Sequence, residues 1–184
     1  DFTPAFVNAA MVESQFGHNQ KALQKLETAR KVGQQSDAVE LNLGMLYAEL
    51  KKMDEAEDAF RRALKLNPRS APAAFNLGVL LAQKQSDEAL KFTARAWELE
   101  PQNSRYGYTH GFFLNQFKQT DSAITMLGQM VEKKTDEASV YFLLGKIYEE
   151  QGQPQKAQNV YRSAAANENL HPQIRQGFYI QSQQ

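Results

Sequence analysis

Three histidines (His18, His110 and His171) and the adjacent pair Glu149 and Glu150 are the side chains of this 184-residue chain best suited to acid–base chemistry. Their spacing does not serve it. The histidines are scattered, and the sequence has no HExxH zinc pattern, no GxSxG nucleophile turn and no phosphate-binding loop. Neighbouring residues on a helix point apart, so Glu149 and Glu150 do not converge on one substrate. Cysteine is absent, which removes disulfides, zinc–cysteine sites, iron–sulfur clusters and covalent c-type haem. The expectation is a non-enzymatic chain with no catalytic residue, no metal and no cofactor.

The charge balance narrows the partners. Lys and Arg number 21, as do Asp and Glu, giving a formal net charge of zero. Nucleic acid and anionic membranes both call for a basic face, so neither is expected as a partner. No run of 18 or more apolar residues offers a membrane span. The opening "DFTPAF" carries neither an initiating Met nor a signal peptide, which suggests a processed or excised piece of a longer protein. With 42% hydrophobic and 23% charged residues, the chain can build a globular core.

Amide side chains are the polar groups with a pattern. "ELNLGMLY" begins at Glu40 and "AFNLGVLL" at Ala74, 34 residues on. The glycines continue it: Gly44, Gly78, Gly111 and Gly145, with Ala10 one interval before them. Two further small columns keep step, Ala22, Ala56, Ala89, Ala123, Ala157 and Ala29, Ala63, Ala96, Met130, Ala164. Each column has one 33-residue step, and a single deletion near Gln85 and Ser86 accounts for all three.

Each period reads as two helices. Leu43, Leu46, Tyr47 and Leu50 recur at i, i+3, i+4 and i+7, and Ala56, Phe60, Ala63 and Leu64 share one face of a second helix. Asp54 with Glu57 reads as a capping box for that helix, and Asn67-Pro68 as its end. A glycine inside a helix costs about 1 kcal/mol relative to Ala. A regular one implies that two helices approach closely at that point.

These residues resemble the tetratricopeptide repeat (TPR) family: Leu43-Gly44, Tyr47, Ala56, Phe60, Ala63 and Pro68 in one period, Leu77-Gly78, Ala89, Ala96 and Pro101 in the next. Leu144-Gly145, Tyr148, Gly152, Ala157, Tyr161 and Ala164 carry the resemblance in the last. The implied fold is an all-α, right-handed superhelical solenoid of antiparallel helix pairs, forming a single domain over 1–184. Its repeats are expected at 3–36, 37–70, 71–103, 104–137 and 138–171, followed by a terminal helix at 172–184. In that helix Ile174 and Phe178 are expected to cover the edge of the fifth repeat. Glu13, His110 and Thr135 depart from the family pattern. The segment "NSRYGYTHGFFL" is also similar to a TPR variety fused to bacterial multihaem cytochromes; any haem-bearing part would lie outside this chain.

The resemblance implies that the first helix of each pair lines a concave groove, with groove-facing positions at −6, −3, −2, +1, +4 and +5 from the glycine. The −2 column contains Asn8, Asn42 and Asn76, whose amides can both donate to and accept from a peptide backbone. The −3 column supplies Phe75, Tyr108 and Phe142, and the +1 column Met11, Met45, Val79 and Phe112. The family's carboxylate clamp, which holds acidic chaperone tails, needs a lysine at −3. Here −3 is wholly apolar, and only Asn76 with Arg105 resembles part of the clamp. The expected function is therefore a scaffold binding a protein or peptide partner through Asn8, Asn42, Asn76, Phe75, Arg105, Tyr108, Phe112 and Phe142. A structural self-association module forming a homo-oligomer is the alternative, as is a docking extension of a larger enzyme or cytochrome. A bacterial cytoplasmic or periplasmic setting is expected, without a choice between the two. His110 falls in a column otherwise filled by Ala or Leu, and reads either as a packed core histidine or as a pH-sensitive site.

Overall fold

A computed structural model describes residues 3–33 and 35–183; Asp1, Phe2, Gln34 and Gln184 lie outside the described residues. The described residues form eleven α-helices and no strand. The chain folds into two compact units, Asp1–Leu99 and Glu100–Gln184. The first contains α1 (Thr3–Gln15), α2 (Asn19–Val32), α3 (Asp37–Glu49), α4 (Met53–Leu66), α5 (Ala71–Gln83) and α6 (Glu88–Leu99). The second contains α7 (Ser104–Gln116), α8 (Thr120–Glu132), α9 (Ala138–Glu150), α10 (Pro154–Ala165) and α11 (Pro172–Gln181). The terminal helix thus stops short of the expected 184, with Ser182 at its C-cap.

Within each unit successive helices pair, and α1 also touches α3, α3 touches α5 and α7 touches α9. This sandwiching explains the difference in pattern between the two helices of a pair. α4 buries one stripe, Ala56, Ala59, Phe60, Ala63 and Leu64, as an outer helix does. α5 buries residues nearly all round, Ala71 through Ala82.

The small columns sit at the closest approaches. Gly44 of α3 faces Phe60 of α4, Gly78 of α5 faces Thr93 of α6, Gly111 of α7 faces Leu127 of α8, and Gly145 of α9 faces Tyr161 of α10. A methyl group at Gly44 would lie 2.5 Å from the Phe60 ring, and one at Gly111 would lie 2.6 Å from Leu127 Cδ2. Neither leaves room for a side chain.

Every first helix that meets its second helix through a tight turn ends in a Schellman motif. Lys52 N–H donates to the Tyr47 carbonyl and Lys51 N–H to that of Ala48, and the same pair of bonds recurs at Gly17-His18, Gln85-Ser86, Lys118-Gln119 and Gly152-Gln153. The left-handed residue is glycine at only two of these five turns. Lys51, Gln85 and Lys118 adopt φ of 61°, 55° and 64°. The deletion lies just after Gln85. Ala56 N–H reaches the carbonyl of Lys52, four residues back, whereas Ala89 N–H reaches only Ser86, three back. α6 therefore starts in a tightened, 3₁₀-like turn and has 12 residues against the 14 of α4.

The capping box does not form. Lys52 is the N-cap of α4 and has no side-chain capping bond. Asp54 and Glu57 both accept from Lys84 Nζ instead, at 2.7 and 2.8 Å. These hydrogen bonds hold both carboxyls below the ordinary carboxylate range. The helix does stop before Asn67-Pro68, and Asn67 Nδ2 donates to Asp37 at 2.7 Å.

In the second unit Phe178 packs its ring 6.1 Å from Tyr141 and 6.0 Å from Tyr161, burying the edge of α9 and α10. Ile174 does not join it and is 42% exposed. Ile174 stands one turn before Phe178 on the same face, but in the first turn of α11, and burial on that face begins only at Phe178 and continues to Ser182.

Candidate peptide-binding site

The first unit presents a continuous face on α1, α3 and α5. Two clefts run along it. One, about 180 Å³, lies between α1 and α3 over Ala10, Met11, Leu26 and Leu46; the other, about 260 Å³, lies between α3 and α5 over Phe60, Val79 and Leu80. Met45, 44% exposed, forms the ridge between them. Asn42 lines the first cleft and Asn76 the second. Each carboxamide donates from Nδ2 to a carbonyl one turn back on its own helix, Asn42 to Ala38 and Asn76 to Pro72, both at 2.8 Å. One donor hydrogen is thereby used and the amide orientation fixed. The oxygen and the second N–H remain for a ligand. Asn8, also in this column, is exposed on α1.

Phe75 departs from the reading of its column. It is 6% exposed, so its ring supplies core area instead of a ligand surface. The −3 position lies on the flank of α5, which this helix buries along with most of its circumference. Conversely, Glu49 was not among the expected site residues, although it lines both clefts. Its signal lies in the +5 column, which reads Gln15, Glu49, Gln83, all three of which line a cleft.

The second unit places its site residues on α7 and α9. Phe112 and Phe142 are 41% and 46% exposed, Tyr108 is half-buried and Arg105 is exposed. The Tyr108 and Phe112 rings lie 6.4 Å apart, and Phe112 leans on the buried Phe113 at 5.6 Å. Beside them Lys146 Nζ pairs with Glu149 at 3.0 Å. Glu149 Oε1 also accepts from Tyr161 Oη at 2.9 Å. The Lys146 bond holds the Glu149 carboxyl low, and burial, reinforced by Glu149, raises the Tyr161 phenol. Glu149 is thus a structural acceptor, while Glu150 is exposed.

The histidines lie on separate helices or caps. His18 pairs with Glu13 at 2.9 Å, and His171 caps α11 by accepting from Gln173 N–H. His110 is largely buried in α7, and burial lowers its pKa to about 4. Among the described residues no cluster of three or more His, Cys, Asp or Glu could hold a metal. No described helix is long and apolar enough to cross a membrane.

Antiparallel helix pairs on a 34-residue period, with small residues at each crossing and clefts along the first helices, define a helical-repeat interaction scaffold. Tetratricopeptide repeat family models match residues 38–70 and 138–166. Over these residues the chain carries tetratricopeptide repeats. A model described as anaphase-promoting complex subunit 5 matches residues 1–41. Anaphase-promoting complex subunit 3 of Schizosaccharomyces pombe is 32% identical over 109 residues, covering 59% of this chain and 16% of that protein. The chain thus spans about one-sixth of the length of that relative. Among solved structures, MamA matches with a TM-score of 0.78 at 20% identity, covering 90% of this chain and 91% of that one. YrrB, described as a TPR protein with an unusual peptide-binding site, matches with a TM-score of 0.73 at 19% identity, covering 95% and 90%. At these identities the structures speak for the fold.

Proposed function

We propose that this chain is a non-enzymatic scaffold that binds a segment of a partner protein on the first-helix face of α1, α3 and α5. The observation that carries this reading is the pair of clefts flanking Met45, each with an apolar floor and one orientation-fixed asparagine. The apolar floors supply non-directional affinity, and the asparagines can hold peptide backbone whatever its side chains. A displayed peptide library selected on the chain provides the test. Selected peptides should bind one to one, and Met45→Glu and Asn76→Ala should each weaken them at least about tenfold, the scale of hot-spot truncations. Binding indifferent to both substitutions refutes the reading.

Self-association is supported by a different observation, the exposed Phe112 and Phe142 on α7 and α9 of the second unit. Under that reading these rings dock on another copy. Light scattering over a concentration series separates the two: a chain that stays monomeric at high concentration excludes self-association.

A further inference from the structure

The two clefts of the first unit share only two lining residues, Met45 and Glu49. These stand one turn apart on α3, so they project from the same face of that helix. We infer that the ligand of this face is an extended peptide with two apolar anchors three residues apart and a basic residue between them. The anchors enter the clefts on either side of Met45, and the basic group meets Glu49. This rests on the binding role proposed for the face.

The size of the clefts argues for side chains as occupants. At about 180 and 260 Å³ each is smaller than the ~300–1,000 Å³ of small-molecule and cofactor sites. The spacing follows from α3 standing between them. A helix with its side chains is ~10 Å across, and three residues of polyproline II span ~9.3 Å and return to the same face of the peptide. A Φ-x-x-Φ segment therefore reaches from cleft to cleft over the Met45 ridge.

Charge selects what lies between the anchors. Glu49 is the one carboxylate lining either cleft, and it lines both. Its Oε2 accepts from Asn19 Nδ2 at 3.4 Å, a long bond that leaves Oε1 available. Lys51, the other charged residue of the lining, borders the second cleft alone. The rest of the polar rim is uncharged, with Gln15, Gln83 and the two asparagines. A cation at the centre of the peptide finds a carboxylate there; an acidic residue finds repulsion.

Fluorescence anisotropy with short capped peptides tests this. The probes are leucine–lysine–alanine–leucine, the same peptide with glutamate or glutamine in place of lysine, and a lysine peptide with both leucines changed to serine, all in Ser/Gly flanks. At low salt the lysine peptide should bind at least about threefold tighter than the glutamate peptide, the scale of an exposed ion pair, and the serine control should not bind. Glu49→Lys should reverse the order of the charged peptides while leaving the circular dichroism melt unchanged. An order that survives Glu49→Lys, or the absence of binding by any leucine peptide, overturns the inference. If Met45→Glu still abolishes binding of library-selected peptides, the binding face stands and only the charge rule falls. If selected peptides ignore Met45→Glu as well, the proposed function falls with it.

Discussion

Gly78→Ala tests how close two helices of a pair come. A methyl group at Gly78 would lie 2.6 Å from Thr93 Cγ2, 3.0 Å from Thr93 N and 3.2 Å from the Ala89 carbonyl oxygen. At Gly44 and Gly111 the obstruction is a side chain, the Phe60 ring or Leu127. At Gly78 part of it is backbone, because the partner column holds the small Thr93 and α6 has lost a residue from its first turn. Replacing a helical glycine by alanine gains up to ~1 kcal/mol in propensity. Overpacking a tight contact costs ~1–3 kcal/mol, and the upper part of that range applies where no rotamer change relieves the clash. The net expectation is a loss of about 1–2 kcal/mol. Gly128 in α8 and Gly177 in α11 have nothing within 4 Å of the added methyl, so Gly128→Ala should gain up to ~1 kcal/mol. Urea unfolding followed by far-ultraviolet circular dichroism reads both midpoints. Thr93→Ser in the Gly78→Ala background removes the Cγ2 contact but not the backbone ones, and should restore only part of the loss. A Gly78→Ala midpoint equal to or above wild type would refute the close-approach account of the column.

Two further outcomes follow from the turns and from α7. Lys118 holds φ of 64° in its Schellman turn, a region costing ~1–2 kcal/mol for a residue with a Cβ; Lys118→Gly should raise the unfolding midpoint by about 1 kcal/mol of stability, measured by urea titration. Burial lowers the His110 pKa to about 4 against an unfolded value of ~6.5. Between these values the unfolded chain binds the extra proton, so this stabilisation is complete above pH 6.5 and is lost as pH falls toward 4. His110→Leu should flatten that part of the stability–pH curve, and an unchanged slope would contradict the assignment.

The 34-residue period is written in the string, and the period prescribes the helices. A residue that recurs every 34 positions beside a helix-spaced apolar stripe has one repeated environment, and so Gly44, Gly111 and Gly145 could be assigned to helix crossings from the string alone. The single 33-residue step likewise located the shortened turn at α6. Groove-facing position was legible for Asn42, Asn76 and Met45, because direction around a helix depends only on residue number. Exposure was not. Phe75 and Phe142 share a column, yet one is buried and the other nearly half exposed, since accessibility depends on what neighbouring helices cover. The left-handed turns at Lys51, Gln85 and Lys118 carry no glycine signal; the helix pairing on either side enforces them. The division at Leu99 and Glu100 has no mark in the repeat pattern. The +5 column marks Glu49 as groove-facing, but no local pattern says that it borders two clefts. Its place on both clefts exists only once α1, α3 and α5 stand side by side, because a cleft is a property of the space between elements and no element encodes it alone.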